Sequence, residues 1–384
     1  GSAAALRAAQ GGLEVLLVEK RQEIGVPVRC GEATDIETTQ QFIALDKRWI
    51  HRQINKYDIY NTVGDCVTVP PSSPTIMLDR KVFDAALAQT AAQAGADLRV
   101  SATVTALLRD DNGHINGVRL KSMGQVREIR ARLVVAADGV ESQVARWAGL
   151  KTIPPLADYY VGMQFTLTGM KDHLNPDHCE YHVGNETLAP GGYIWVFPKD
   201  EDTANVGLVI AANQARLTSA QTWLERFVEQ RYPHAGILSV VTGGIPITGA
   251  IKKMVTDGLV VVGDAAHQAD PLTAGGISLG MLGAEMAMQV AVPAIKRGDV
   301  SASVLRDYEE LWQERFGKMH AALLAVRRIL TRMDEADFNK LIALAGRLPL
   351  ETMSHAELVT QLLKAHPALL LEARTLITTG LLLK

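Results

Sequence analysis

Cysteine is scarce in this 384-residue chain: Cys30, Cys66 and Cys179 stand far apart, with no C-x-x-C spacing. That count speaks against a disulfide framework and against a zinc or iron–sulfur site, and it fits a reducing compartment. An excess of charge of one sign is missing too. Lys+Arg total 39 against 42 Asp+Glu, and no basic run stands ready to neutralise a phosphate backbone, so no nucleic-acid partner is expected. The chain opens with neither Met nor a charged-then-apolar leader, and it shows no internal repeat or low-complexity tract. What is present is 47% apolar and 21% charged residues, enough to bury a large core over two or three domains. The expectation is a soluble, cytoplasmic α/β protein.

Gly1 leads directly into Ser2-Ala3-Ala4-Ala5-Leu6-Arg7-Ala8-Ala9-Gln10, a strong helix former stopped by Gly11-Gly12. Leu13–Glu19 follows as a short apolar run ending in an acid, which reads as a buried parallel strand. Helix, glycine stop, strand and terminal acid make up the second half of a dinucleotide-binding βαβ unit. Gly1 then stands as the last glycine of G-x-G-x-x-G, with Glu19 placed 18 residues on to meet a ribose. On this reading the chain begins inside the unit, and the sheet is expected to lack a central strand.

Three further segments bear on that unit. Leu133–Ala137 is a buried strand running into an Asp138-Gly139 turn, followed by a helix containing Val144 and Trp147. Gly258–Val262 is a continuous apolar strand that delivers Gly263-Asp264 at its carboxyl end, where α/β sheets place ligands. Asp264 can accept a hydrogen bond from a sugar-type hydroxyl. Pro271–Ile277 then opens a helix whose free N–H groups suit a pyrophosphate or a carbonyl edge, with Gly275 and Gly276 keeping Cβ atoms out of the way. Arg80 sits near the start of a helix marked by Phe83, Leu87 and Ala91, against the helix dipole. Either a nearby anion or a surface salt bridge answers it.

Taken together, Gly1–Glu19, Arg80, Asp138-Gly139 and Gly263–Ile277 resemble an FAD protein of the p-hydroxybenzoate hydroxylase fold. Pro27-Val28-Arg29-Cys30-Gly31-Glu32 and Gly192-Tyr193-Ile194-Trp195-Val196-Phe197-Pro198 are similar to boxes of the geranylgeranyl reductases, whose archaeal members act on digeranylgeranylglycerophospholipids. In that family the aromatic box is followed by G-x-G; here Gly207-Leu208-Val209 replaces the last glycine with valine. The resemblance implies an FAD enzyme that saturates isoprenoid double bonds. It extends the cofactor-contacting set to Lys20, Arg29, Cys30, Gly31, Ala33 and Val104, and makes Tyr193, Trp195 and Phe197 a wall for the prenyl chain. Tyr193, Trp195 and Phe197 alternate, so on a strand they share a face. Cys30, Glu32, Tyr193 and an ordered water are all candidates for the group that supplies the proton.

The implied architecture is an α/β, Rossmann-like FAD domain (1–22, 75–157 and 243–310) without its first strand, an inserted antiparallel-sheet substrate domain (23–74 and 158–242), and a helical region (311–384). Gly275–Ile295 is apolar enough to mimic a membrane span, but Glu285, Gln289 and Pro293 favour a buried helix. His178, Glu180 and His182 would turn one way on a strand; with no supporting groups in view they read as a solvated face, and no metal is expected. Residues 305 onward read as helical, with breaks near Leu348-Pro349 and at Pro367, and 368–384 are strongly apolar. That tail reads either as a helix docked on the substrate domain or as a peripheral contact with the inner face of a membrane. Three functions stay open here: prenyl reductase, aromatic-ring monooxygenase and non-catalytic prenyl carrier. The partners expected for the first are a prenylated lipid and an electron donor such as NAD(P)H or reduced ferredoxin.

Overall fold

The computed structural model describes residues 1–348. Its first part runs α1 (Ser2–Gln10), β1 (Val15–Val18), β2 (Ala33–Asp35), α2 (Ile36–Gln40), β3 (Ile50–Ile54), β4 (Lys56–Tyr60), β5 (Cys66–Val69) and β6 (Thr75–Leu78). Next come α3 (Arg80–Gln93), β7 (Ala96–Arg99), β8 (Ala102–Arg109), β9 (Ile115–Ser122), β10 (Gln125–Arg130), β11 (Val134–Ala136) and α4 (Gln143–Trp147). The third part holds β12 (Tyr159–Thr168), β13 (His178–His182), β14 (Tyr193–Pro198), β15 (Ala204–Ala211), α5 (Ala220–Arg231) and β16 (Gly236–Pro246). Then follow β17 (Val255–Thr256), β18 (Leu259–Val261), α6 (Ile277–Arg297), α7 (Ala302–Leu305), α8 (Asp307–Trp312), α9 (Lys318–Leu330) and α10 (Glu335–Ala345).

The alanine-rich start forms α1 because nothing in it resists a helix, and it buries Ala3, Ala4, Ala5, Leu6, Ala8 and Ala9. Small side chains let it lie close to its neighbours; a Cβ on Gly11 would come within 2.7 Å of Val292 on α6. β1 pairs in parallel with β7, and β11 in parallel with β18, but these two sheets do not pair with each other. The unpaired sides of β1 and β11 both border the same cavity, and a Cβ on Gly1 would stand 3.5 Å from Leu17 and 3.9 Å from Ala137. α6 is the helix that mimics a membrane span: it buries Met281, Leu282, Met286 and Ala287, and its Glu285 pairs with Arg7 at 2.9 Å.

The second unit is a seven-stranded sheet ordered β16-β12-β15-β14-β13-β4-β5. It is antiparallel except where β13 meets β4, which run parallel. One face, carrying Ile194, Val196, Val206 and Leu208, packs under α5. The other carries Tyr193, Trp195, Phe197, Val209 and Tyr181 and looks toward the cavity. β2, β6 and β3 form a separate three-stranded sheet, which the sequence reading did not foresee.

The strand His178–His182 corrects another expectation. His178, Glu180 and His182 do share a face, but that face is covered rather than solvated. His182 hydrogen-bonds Glu180 at 3.0 Å and lies 5.0 Å from the Phe227 ring of α5, while His178 bonds Asp58 at 2.6 Å. Burial holds the His182 imidazole below its ordinary pKa. Among the described residues no three His, Cys, Asp or Glu side chains are grouped to hold a metal. The breaks near 348–349 and at 367 and the apolar tail 368–384 lie at or outside the described residues.

Candidate active site

The ends of β1, β11 and β18 and the start of α6 converge on one cavity of about 2350 Å3. Glu19 and Lys20 leave β1, Asp138 and Gly139 leave β11, and Gly263 and Asp264 leave β18. Gly1, Arg80, Val104, Gly275, Gly276 and Ile277 border the same space. Ligands collect at this edge of α/β sheets because the strand ends leave polar backbone uncovered. Gly139 and Gly263 take φ of +75° and +67°, and nothing lies within 4 Å of where a Cβ would stand, so both leave a bare cradle.

Asp264 is half-buried at the cavity edge, and desolvation pushes its carboxyl above the ordinary value, with Arg80 pulling the other way. A Cβ on Gly276 would reach within 3.2 Å of Asp264 Oδ1, so the glycine keeps carboxylate and helix start together. Gly276 caps the 21-residue α6 without a side-chain hydrogen bond, leaving the first N–H groups of the helix for a ligand. Asp138 Oδ2 accepts from Val144 N at 2.9 Å, whereas its Oδ1 is buried without a partner. An orphaned acceptor, a desolvated carboxylate, an open helix start and two bare glycines fit a dinucleotide bearing hydroxyls, a pyrophosphate and a carbonyl-edged ring. FAD meets that description.

Above this crevice lies the loop Pro27–Glu32. The Cys30 Sγ accepts the Glu32 N–H at 3.2 Å and lies beside the Arg80 guanidinium. Arg80 also pairs with Asp84 at 2.8 Å, so the anion answering its place at the helix start belongs to the same helix. Glu32 is 1% exposed and adopts φ of +76°. Its carboxylate accepts from Arg80 N at 2.8 Å and Asn205 Nδ2 at 2.7 Å and pairs with the Lys199 ammonium. Three donors therefore fasten this carboxylate to α3 and to the strands beneath the loop. Glu32 holds the loop against the strands beneath it.

The alternating aromatics divide their work. A Cβ on Gly31 would stand 2.9 Å from Phe197 and 3.4 Å from Trp195 Nε1, so these two rings are the bed on which the Cys30 loop rests. Trp195 in turn lies across Gly207, where a Cβ would come within 2.2 Å of the indole, and donates to Gln164 Oε1 at 3.2 Å. Val209 faces Gly162 on the neighbouring strand, and that glycine makes room for the branched side chain. Tyr193 donates its hydroxyl to the Thr273 carbonyl, tying the wall to the loop that opens α6. Burial raises the Tyr193 phenol well above its ordinary value.

Arg29, Cys30, Gly31, Ala33, Tyr193, Trp195 and Phe197 all border the cavity, together with the residues of the crevice. Lys20 does so while pairing with Glu141 at 2.9 Å. Sequence reasoning missed Tyr57 and Tyr181, whose rings stand 5.9 Å apart, and the whole contribution of α9 and α10. Tyr181 was within reach: strand alternation in His178–His182 turns it away from the histidines and toward Trp195, its register partner.

The fold and this crevice define a flavin-dependent oxidoreductase with an apolar, aromatic-walled substrate space. An FAD-dependent oxidoreductase family model matches residues 1–162, and the geranylgeranyl reductase catalytic-domain model matches 158–245. A digeranylgeranylglycerophospholipid reductase of Methanosarcina acetivorans is 39% identical over 383 residues, covering 98% of this chain and 93% of that protein. The crystal structure of a geranylgeranyl bacteriochlorophyll reductase-like protein from Thermoplasma acidophilum superposes with a TM-score of 0.91 at 32% identity, covering 97% and 96% of the two chains. A flavin-dependent brominase shares the fold, with a TM-score of 0.72 at 18% identity over 90% of this chain and 91% of its own. The chain belongs to the geranylgeranyl reductase family of FAD-dependent oxidoreductases. That membership selects the reductase among the three functions the sequence left open.

Proposed function

We propose that this enzyme saturates the isoprenoid double bonds of a digeranylgeranylglycerophospholipid, working at the cytoplasmic face of a membrane on electrons from NAD(P)H, reduced ferredoxin or a similar donor. The observation carrying this reading is that the Glu19–Asp264–Gly276 crevice and the aromatic wall of Tyr193 and Tyr181 line one and the same cavity. An isolated alkene has no carbonyl to absorb charge, so its reduction calls for hydride and proton delivered in a dry, shaped space. FAD, when bound and reduced, supplies the hydride.

Everything else falls to the chain. Glu19 and Asp264 would bind hydroxyls of the cofactor, and the open N–H groups of α6 its carbonyl or phosphate oxygens. Gly139 and Gly263 let it approach the backbone. The aromatic wall excludes water and aligns the prenyl chain. Among the candidate proton sources, Glu32 is ion-paired and the Tyr193 proton is committed to a carbonyl. This leaves the half-buried Cys30 thiol, or a water beside it, at the junction of crevice and wall. The apolar tail supplies the membrane contact; loss of liposome flotation in protein lacking residues 368–384 is expected, and unchanged binding removes that role.

The test is direct. Full-length protein loaded with FAD and reduced by dithionite without oxygen is mixed with a digeranylgeranyl phospholipid. Flavin reoxidation is expected, with lipid mass rising by two hydrogens per bond; no reoxidation sinks the proposal.

A further inference from the structure

Beside the aromatic wall, the seven-stranded sheet carries two buried amides: Asn205 on β15 is 1% exposed and Gln164 on β12 is 5% exposed. Register sets each in a cross-strand row headed by one ring of β14. Phe197 stands opposite Asn205, which stands opposite Thr166 and then Ser239. Trp195 stands opposite Gly207, which stands opposite Gln164 and then Val241. In both rows a neighbour's donor claims the amide oxygen. Thr166 Oγ1 accepts from Ser239 Oγ at 3.2 Å and donates to Asn205 Oδ1 at 3.0 Å, while the Trp195 indole donates to Gln164 Oε1 at 3.2 Å. An indole N–H can only donate, so the Gln164 amide cannot turn over without losing that bond, and its NH2 end is the one left to face a partner.

The rows differ in what receives that NH2 group. Asn205 Nδ2 donates to the Glu32 carboxylate at 2.7 Å. Gln164 borders the cavity, and among the described residues its Nε2 has no acceptor. Its surroundings leave room for one: Gly162, two residues before it on β12, has no side chain and pairs in register with Gly243 of β16, which has none either. Trp195 Nε1 lies 3.4 Å from where a Gly31 Cβ would stand, so this amide belongs beneath the Cys30–Gly31 loop. A buried donor without an acceptor is costly, and one held so firmly in a single orientation is placed for a ligand.

From the contrast between the two rows we infer that Gln164 Nε2 is the binding group for one uncharged oxygen acceptor in the reaction space, doing for a ligand what Asn205 does for Glu32. The inference rests on the function proposed above and adds a polar contact to it. The reacting stretch of a prenyl chain carries no acceptor, so the oxygen has two sources. It belongs either to a carbonyl of the flavin ring, which Gln164 would orient, or to the water that carries the proton, which Gln164 would hold. Removing the donor loosens either one.

Two substitutions separate the donor from the space it fills. Gln164→Met keeps the length of the side chain and removes its polar end. Gln164→Glu keeps an oxygen for the Trp195 N–H and offers a donor only while its carboxyl is protonated. On full-length, FAD-loaded protein reduced by dithionite, both are expected to slow flavin reoxidation by a digeranylgeranyl phospholipid about tenfold or more at pH near 8. Only Gln164→Glu is expected to regain rate as pH falls, a response that a packing role would not produce. The source of the oxygen is read separately. A flavin carbonyl makes the Kd for FAD rise and the flavin midpoint potential shift in Gln164→Met; a water leaves both unchanged and alters the solvent deuterium isotope effect on reoxidation instead. Flavin content and the midpoint of thermal unfolding identify a variant that has failed to fold, and Gln164→Glu, which keeps the Trp195 bond, then carries the test. Folded Gln164→Met with the parent's rate and FAD affinity refutes the inference, as does a Gln164→Glu deficit that is the same at every pH. If the parent protein itself is not reoxidised by the lipid, it is the proposed function that fails, and the inference with it.

Discussion

A phenol that has given its hydrogen bond to a backbone carbonyl is poorly placed to protonate anything else, and Tyr193 is in that position toward Thr273. Removing a true general acid costs about 10²–10⁴-fold. Tyr193→Phe, which keeps the ring and loses the donor, is expected to hold kcat within about tenfold, measured under saturating lipid. Glu32 gives the opposite expectation. Glu32→Ala leaves Lys199, Asn205 and the Arg80 N–H without their acceptor, and it is expected to cost about 3 kcal/mol of stability in denaturant unfolding. Asp264 carries a pH signature. Burial raises its folded pKa, so in the apoprotein its contribution to stability is present at low pH and lost as pH rises through that raised value. The stability of Asp264→Asn relative to the parent is therefore expected to grow with pH across that window, while its affinity for FAD falls.

Strand β14 shows what a linear pattern can and cannot tell. The alternation of Tyr193, Trp195 and Phe197 was legible, because a two-residue period is local and its outcome depends on little else. So were α1, β1, β18 and the glycine start of α6. The partners were not: Gly31 resting on Phe197, Asn205 reaching Glu32 and Gln164 receiving the Trp195 N–H all join segments more than thirty residues apart. The part of the cavity lined by α9 and α10 was invisible for another reason. Its valines, leucines and phenylalanine have no spacing that separates a cavity wall from ordinary core. The face of β13 was misjudged because a strand's polar residues look solvated until a helix, here α5, covers them. Gly207 gives the element-scale prediction. Gly207→Ala drives a Cβ to within 2.2 Å of the indole, so a cost of about 1–3 kcal/mol is expected in unfolding, with a shift in Trp195 fluorescence.

At the scale of the molecule, the cofactor crevice is bordered by residues from seven separated stretches, from Gly1 to Ile277, and the cavity they share runs through the interior. A ligand that fills such a space stabilises every wall at once. FAD at a hundredfold excess over its Kd is expected to add about 2.7 kcal/mol to unfolding, seen as a concentration-dependent rise in Tm. The seven-stranded sheet has a feature of its own. Where β13 lies alongside β4, His178 reaches Asp58 across 120 residues of sequence, and most of the intervening chain, α3 through α4 included, lies outside this sheet. On the ribosome, then, β4 and β5 emerge long before the strand that must shelter their edge. They wait as an unfinished hairpin while α3 through α4 are translated, and the greasy wall is complete before β18 and α6 bring the other half of the cofactor crevice.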